Sequence, residues 1–192
     1  MSHEAISVFD MFKIGVGPSS SHTLGPWRAA LQWLEYHNRT GQLAHITQVQ
    51  VLLYGSLAKT GKGHGTDIAV LMGLLGANPE TFPVEDIEPA IHHISQTQTL
   101  LLGGQHTIAF NPQINVQFLM QDSLPFHPNG MTILHQTDWG EAGAQTYYSI
   151  GGGFVIQEGQ TTDERQQRVR LPFPINPADG LRHWCMKTGL SI

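Results

Sequence analysis

The hydrophobic pattern of this chain changes character near its middle, and that change limits the folds open to it. Up to Gln96 the apolar residues recur mostly at helical spacing. Trp27, Ala30, Leu31 and Leu34, extending to His37, mark a helix that runs to Arg39, with Gly41 as its stop. Ile68, Val70, Leu71, Leu74 and Leu75 mark another, capped by Thr66 or Asp67. Val84–Gln96 is a further helix, opened by Glu85 and Asp86, whose carboxylates suit the positive end of the helix dipole. One β-rich run interrupts them, Ile46–Tyr54, with Ile46, Val49, Val51 and Leu53 apolar. Beyond the loop Asn78–Pro83 and that last helix, short strand candidates take over at 105–110, 115–120, 131–136 and 144–150. Asn-Pro, His-Pro-Asn-Gly and Trp-Gly turns separate them. This order predicts an α+β fold: a mixed, mostly antiparallel sheet with helices on one face.

Chemistry concentrates in two segments. In Gly17-Pro18-Ser19-Ser20-Ser21-His22-Thr23, a backbone punctuated by Gly and Pro turns into the helix that starts near Trp27. A Ser- and Thr-rich turn opening a helix offers free N–H groups and hydroxyls to one point, a seat for a carboxylate or phosphate. A cap needs only one such residue; three serines and a histidine exceed that need. The second segment, Gly55–Asp67, reads as a glycine-rich loop. It departs from a nucleotide phosphate loop because Lys62 is followed by Gly63-His64. Its glycines, Gly63 among them, let backbone approach a ligand and hold His64 on a mobile turn ahead of Thr66.

Composition excludes several classes. The formal net charge is −5, with no Lys/Arg stripe to replace phosphate counterions, so a nucleic-acid partner is not expected. No apolar run reaches membrane-spanning length and no basic-then-apolar leader opens the chain, so a cytoplasmic protein without a membrane partner is the expectation. Cys185 is the single cysteine, which rules out an intrachain disulfide and an all-thiolate metal site made by this chain alone. Eleven histidines invite a metal reading, but none forms a His-Glu-x-x-His pattern, and His92-His93 on a helix point to different faces. Charged residues are only 13% of the chain, which with an exposed sheet face suggests a covered surface and a homodimer.

Ser7–Ile14 reads as a short amphipathic helix, and Leu171-Pro172-Phe173-Pro174 as part of an extended linker. A domain over 1–156, a linker over 157–175 and a helix starting at 176 and running to 192 follow from this. A helix that begins after a proline-rich linker suggests a truncated chain or one part of a split protein.

Three stretches carry a family resemblance. Ser7–Gly15 with Gly17–Thr23, then Tyr54-Gly55-Ser56-Leu57-Ala58 through Thr60-Gly61, Gly63-His64 and Thr66-Asp67, then Tyr147-Tyr148-Ser149-Ile150-Gly151-Gly152-Gly153-Phe154 resemble the bacterial iron–sulfur L-serine dehydratases. The likeness covers essentially the whole chain and corresponds to the β part of those enzymes, which also occur split into β and α chains.

That resemblance implies a lyase that converts L-serine to pyruvate and ammonia without pyridoxal phosphate. It implies a [4Fe–4S] cluster acting as Lewis acid on the substrate hydroxyl, held by cysteines of the α part and not by this chain, so the isolated β part should be inactive. The partners implied are L-serine and the α domain or chain. Ser19, Ser20, Ser21 and Thr23 would receive the substrate carboxylate, with Gly63 and Thr66 beside them. His22 and His64 would form the proton-transfer pair. His64 is favoured as the α-proton base because its loop can move onto substrate, with the reverse assignment standing beside it. Ser149 either donates to the substrate or marks a tight strand end. The β part is also similar to the intervening allosteric domain of some D-3-phosphoglycerate dehydrogenases. On that alternative the chain is an L-serine- or anion-binding allosteric module.

Overall fold

β1 (Ile46–Tyr54) is the strand on which the fold is assembled. In the computed structural model, which describes residues 15–159 and 178–191, a five-stranded sheet runs in the order β4-β1-β5-β6-β7. The other strands are β4 (Val116–Leu119), β5 (Gly130–Thr137), β6 (Ala142–Gly151) and β7 (Phe154–Gln157). β4 pairs parallel with β1, and every other pairing is antiparallel. A separate hairpin joins β2 (Thr99–Leu102) to β3 (His106–Ala109). The fold is therefore α+β with a mixed, mostly antiparallel open sheet, as the sequence pattern predicts.

Burial along β1 explains its apolar positions. Val49, Val51 and Leu53 alternate on one face, while Ile46 is buried three residues before Val49, out of step with a period of two. The register shift between Ile46 and Gln48 is a bulge that returns Ile46 to the core side. Leu53, Met131 and Tyr147 form one cross-strand row of that core face, and Val51 pairs with Ile133 beside it.

Five helices accompany the sheet in residues 15–159. α1 (Gly25–Arg39) buries Trp27, Ala30, Trp33, Leu34 and His37, one stripe at helical spacing. It ends where Gly41 takes a left-handed conformation, φ +74°. α3 (Thr66–Leu74) is buried almost all round. It reaches α1 so closely that a Cβ on Gly73 would overlap the Trp27 carbonyl and the Ala30 side chain. α4 (Ile87–Thr97) follows a 3-10 turn at Val84–Asp86, and α5 (Pro112–Asn115) precedes β4. α2 (Gly55–Thr60), with the 3-10 turn Gly61–His64, corrects the expected loop. Its glycines masked a short helix whose Leu57 and Ala58 are fully buried, and burial outweighs the local propensity of glycine.

Two strands are not predicted by the sequence pattern. β2 is only four residues long and starts straight after Gln98, whose φ of +51° ends α4. β7 emerges from Gly151-Gly152-Gly153, all at positive φ, which closes a hairpin with β6. Residues 15–159 form one compact unit, and residues 178–191 belong to a second. In the latter, α6 (Ala178–Thr188) carries the half-buried Cys185 and stops at Gly189 rather than reaching Ile192. The helix expected over Ser7–Ile14 and the greater part of the expected linker lie outside the described residues.

Candidate functional site

The turn before α1 is wider than a normal helix start. Ser19 is extended (φ −139°, ψ 128°) and caps it, its hydroxyl accepting the His22 N–H at 3.2 Å. The Ser19 carbonyl accepts both Thr23 N–H (3.1 Å) and Leu24 N–H (3.2 Å), so Ser20–Leu24 forms a π turn. Pro26 follows and has no N–H. The His22 carbonyl, four residues earlier, therefore lacks its usual helical donor, and the Thr66 hydroxyl takes it at 2.5 Å. Gly17 is required at the entry, because its φ is +106° and a Cβ there would overlap the Thr23 side chain. The N–H groups of Ser20 and Ser21 sit in the first turn, where a helix has no acceptor of its own to offer.

α2 and the 3-10 turn after it lie against this turn. Thr23 Oγ1 donates to the His64 carbonyl at 2.8 Å, while Thr66 Oγ1 donates to His22. This reciprocal latch brings the two imidazoles to a centroid separation of 5.0 Å with their planes inclined by 35°. His22 is held at both nitrogens by hydroxyls: Nδ1 by Ser21 Oγ and Nε2 by Ser56 Oγ, each at 2.9 Å. Burial, then the neighbouring His64, push the His22 pKa below the ordinary histidine value, with a main-chain hydrogen bond at Ser56 working the other way. Its ring is therefore neutral at pH 7. His64 Nδ1 faces the Thr60 carbonyl at 2.9 Å. A carbonyl only accepts, so Nδ1 carries the proton, and in the neutral ring Nε2 keeps the lone pair of a base.

The residues expected from the sequence divide into two groups. Ser19, Ser20, Ser21, His22 and His64 gather at the turn, all half-buried or exposed. Gly63 is exposed with open space over its α-carbon. Thr23 and Thr66 are buried behind them, their hydroxyls committed to the two histidine carbonyls. Ser149 is 3% exposed, its N–H donated to the Asn129 carbonyl at 3.0 Å. Its hydroxyl packs against Gly25, where a Cβ would overlap it, and has no hydrogen-bond partner among the described residues. Ser56, which the sequence does not single out, also meets this group. It lies within the second motif, but only contact across 34 positions of sequence reveals its bond to His22.

Among the described residues, no group of three or more His, Cys, Asp or Glu could hold a metal ion. No helix among them is long and apolar enough to cross a membrane.

Comparison with known proteins gives a consistent result. An L-serine dehydratase 1 of Escherichia coli (strain K12) is 42% identical over 188 residues, 97% of this chain and 41% of that protein. L-serine dehydratases of Haemophilus influenzae and Streptomyces coelicolor are 41% and 42% identical, again over nearly all of this chain and 41% and 42% of theirs. The chain thus spans about two fifths of the length of the curated relatives it matches. Residues 7–160 match the family model described as serine dehydratase beta chain, most of the sequence and both segments of the site. The chain belongs to the serine dehydratase beta-chain family.

Proposed function

We propose that this chain is the β part of an L-serine dehydratase, contributing carboxylate binding and proton transfer to the conversion of L-serine to pyruvate and ammonia. The observation that carries this reading is the pair of imidazoles, 5.0 Å apart, beside a hydroxyl-rich helix start. The substrate carboxylate sits on the Ser20 and Ser21 N–H groups and the Ser19–Ser21 hydroxyls, where the helix start favours an anion. Thr23 and Thr66 hold the two histidine segments together, Ser149 packs under the turn, and Gly63 leaves room above it.

His64 removes the α-proton through Nε2, since its Nδ1 proton is engaged by Thr60. Hydroxide leaves the β-carbon, and the resulting enamine tautomerises to an imine that water hydrolyses to pyruvate and ammonia. His22, neutral and bonded to Ser21, orients the carboxylate-binding hydroxyl.

The resemblance also implies a [4Fe–4S] cluster, which needs about four ligands, usually thiolates. The residues of this chain do not fit it: Cys185 is the single cysteine of the sequence, and the described residues contain no metal-binding group. The cluster belongs, in this reading, to the remainder of the enzyme. What the residues of this chain do is bind, orient and move protons. The test is pyruvate formation from L-serine by the assembled enzyme, with His64→Ala and His22→Ala each lowering kcat. Wild-type turnover with both rings removed would refute the proposal.

A further inference from the structure

α2 touches both imidazoles, although none of its residues belongs to the hydroxyl-rich turn. Ser56 Oγ meets His22 Nε2 at 2.9 Å, and one turn later the Thr60 carbonyl accepts from His64 Nδ1 at 2.9 Å. The Thr60 hydroxyl donates back to the Ser56 carbonyl at 3.0 Å, which closes the turn between them. The helix is fixed at its start. Gly55 N–H donates to the Asp122 carbonyl and Ser56 N–H to the Pro128 carbonyl, both at 2.9 Å. Gly55 itself is at φ +53°, and a Cβ there would overlap the Pro128 carbonyl oxygen. The Ser56 hydroxyl thus projects from a clamped backbone.

We propose that Ser56 is a positioning residue that sets the orientation and tautomer of His22, with α2 acting as the spacer between the two imidazoles. The inference rests on the reading of His22 and His64 as parts of a carboxylate-binding, proton-transferring site. Its logic is the count of donors and acceptors. A bound carboxylate only accepts, so the Ser21 hydroxyl that donates to it must itself accept from His22 Nδ1–H. His22 Nε2 is then an acceptor, and Ser56 Oγ is the hydroxyl at that nitrogen able to donate. The result is one polarised chain: Ser56 O–H to Nε2, Nδ1–H to Ser21 Oγ, Ser21 O–H to the carboxylate. Alanine at 56 leaves Nε2 without a donor, and the ring is free to turn or to change tautomer, which withdraws the Ser21 hydroxyl from the ligand.

The experiment has two arms. In the first, ring ¹⁵N shifts and the titration of His22 are followed by NMR in the 192-residue chain, as wild type, Ser56→Ala and Ser56→Thr. The expected result is a changed tautomer ratio and a raised His22 titration in Ser56→Ala, since a hydroxyl donating to Nε2 favours the neutral ring, both restored by Ser56→Thr, with the His45 ring shifts unaltered. Unchanged His22 shifts in Ser56→Ala would overturn the proposal, as would equal changes at His45, which indicate a general loss of structure. In the second arm, kcat/KM for L-serine is measured on the assembled enzyme. A fall of about tenfold in Ser56→Ala, the worth of one hydrogen bond near a charged ligand, with recovery in Ser56→Thr, supports it. If the NMR signature moves as expected while kcat/KM does not, Ser56 positions His22 and the catalytic reading of His22 fails instead.

Discussion

Among the described residues two pairs of histidines stand close together, and they differ in their surroundings. His22 and His64 lie 5.0 Å apart; His37 of α1 and His135 of β5 lie 4.4 Å apart, also against Trp33. The first pair is half-buried, and its nitrogens meet hydroxyls and a carbonyl beside a hydroxyl-rich helix start. The second lies on the core side of the sheet. His37 is 1% exposed, and its Nδ1 bonds Gln42 at 3.1 Å. Its Nε2, the Nδ1 of His135 and the Trp33 indole nitrogen are buried without hydrogen-bond partners among the described residues. Burial, then the nearby His135, push the His37 pKa down to about 4, against the neighbouring Gln42 and Gln145 side chains and the Glu141 charge. Burial also lowers His135, again with Glu141 working the other way. Imidazole proximity is therefore common to both pairs. What separates them is exposure and the hydroxyl partners at the ring nitrogens.

The sharpest way to break this comparison is to remove one ring from each pair in the assembled enzyme. His64→Ala should lower kcat about 10²–10⁴-fold, the usual worth of a general acid or base. His135→Phe, which keeps a ring in the core, should leave kcat within about twofold. Equal losses in steady-state serine turnover would erase the distinction.

Acid stability tests the buried pair by itself. His37 binds its proton more weakly when folded than when unfolded, so its contribution is intact above pH about 6.5 and is lost as pH falls toward 4. The loss expected across that window is about 3 kcal/mol, from the size of the displacement. Urea unfolding at stepped pH should show it, and His37→Gln should flatten the dependence. A wild-type stability flat between pH 6.5 and 4 would remove His37 as its cause.

A smaller effect comes from the space left for His135. Gly143 faces it across the β5–β6 pairing, and a Cβ there would overlap the imidazole. Gly143→Ala should destabilise by about 1–3 kcal/mol, the cost of overpacking a filled core, and thermal melts would read it. The least of the four is Ser21→Ala, which should raise KM for L-serine up to about tenfold with kcat less affected, since the carboxylate is bound in ground and transition states alike. A loss in kcat with unchanged KM would move Ser21 from binding to chemistry.

The two pairs also measure how far sequence carries. Both site segments stand out locally, because Ser19–Thr23 and Gly63–Thr66 are unusual in composition and each lies at a helix start. His37 and His135 give no such signal: one is a member of a helical stripe and the other of a strand, and 98 positions separate them. Short elements were lost for the same reason. β2 and β7 have four residues each, too few to show a period, and become strands by pairing with β3 and β6. The glycines of α2 predict a loop, whereas its helical form depends on burying Leu57 and Ala58.

By itself, then, the order of apolar periods determined the α+β class, and residue chemistry singled out two segments that the structure brings together. Local spacing suffices for these, since a period or a cap is written in neighbouring residues. Tertiary structure alone decided that β4 joins β1 in parallel, that Thr23 and Thr66 are buried and lock the histidine segments together, and that Ser56 meets His22. Each of these is a bond between residues more than 30 positions apart, made only when burial of the intervening core brings its two ends together.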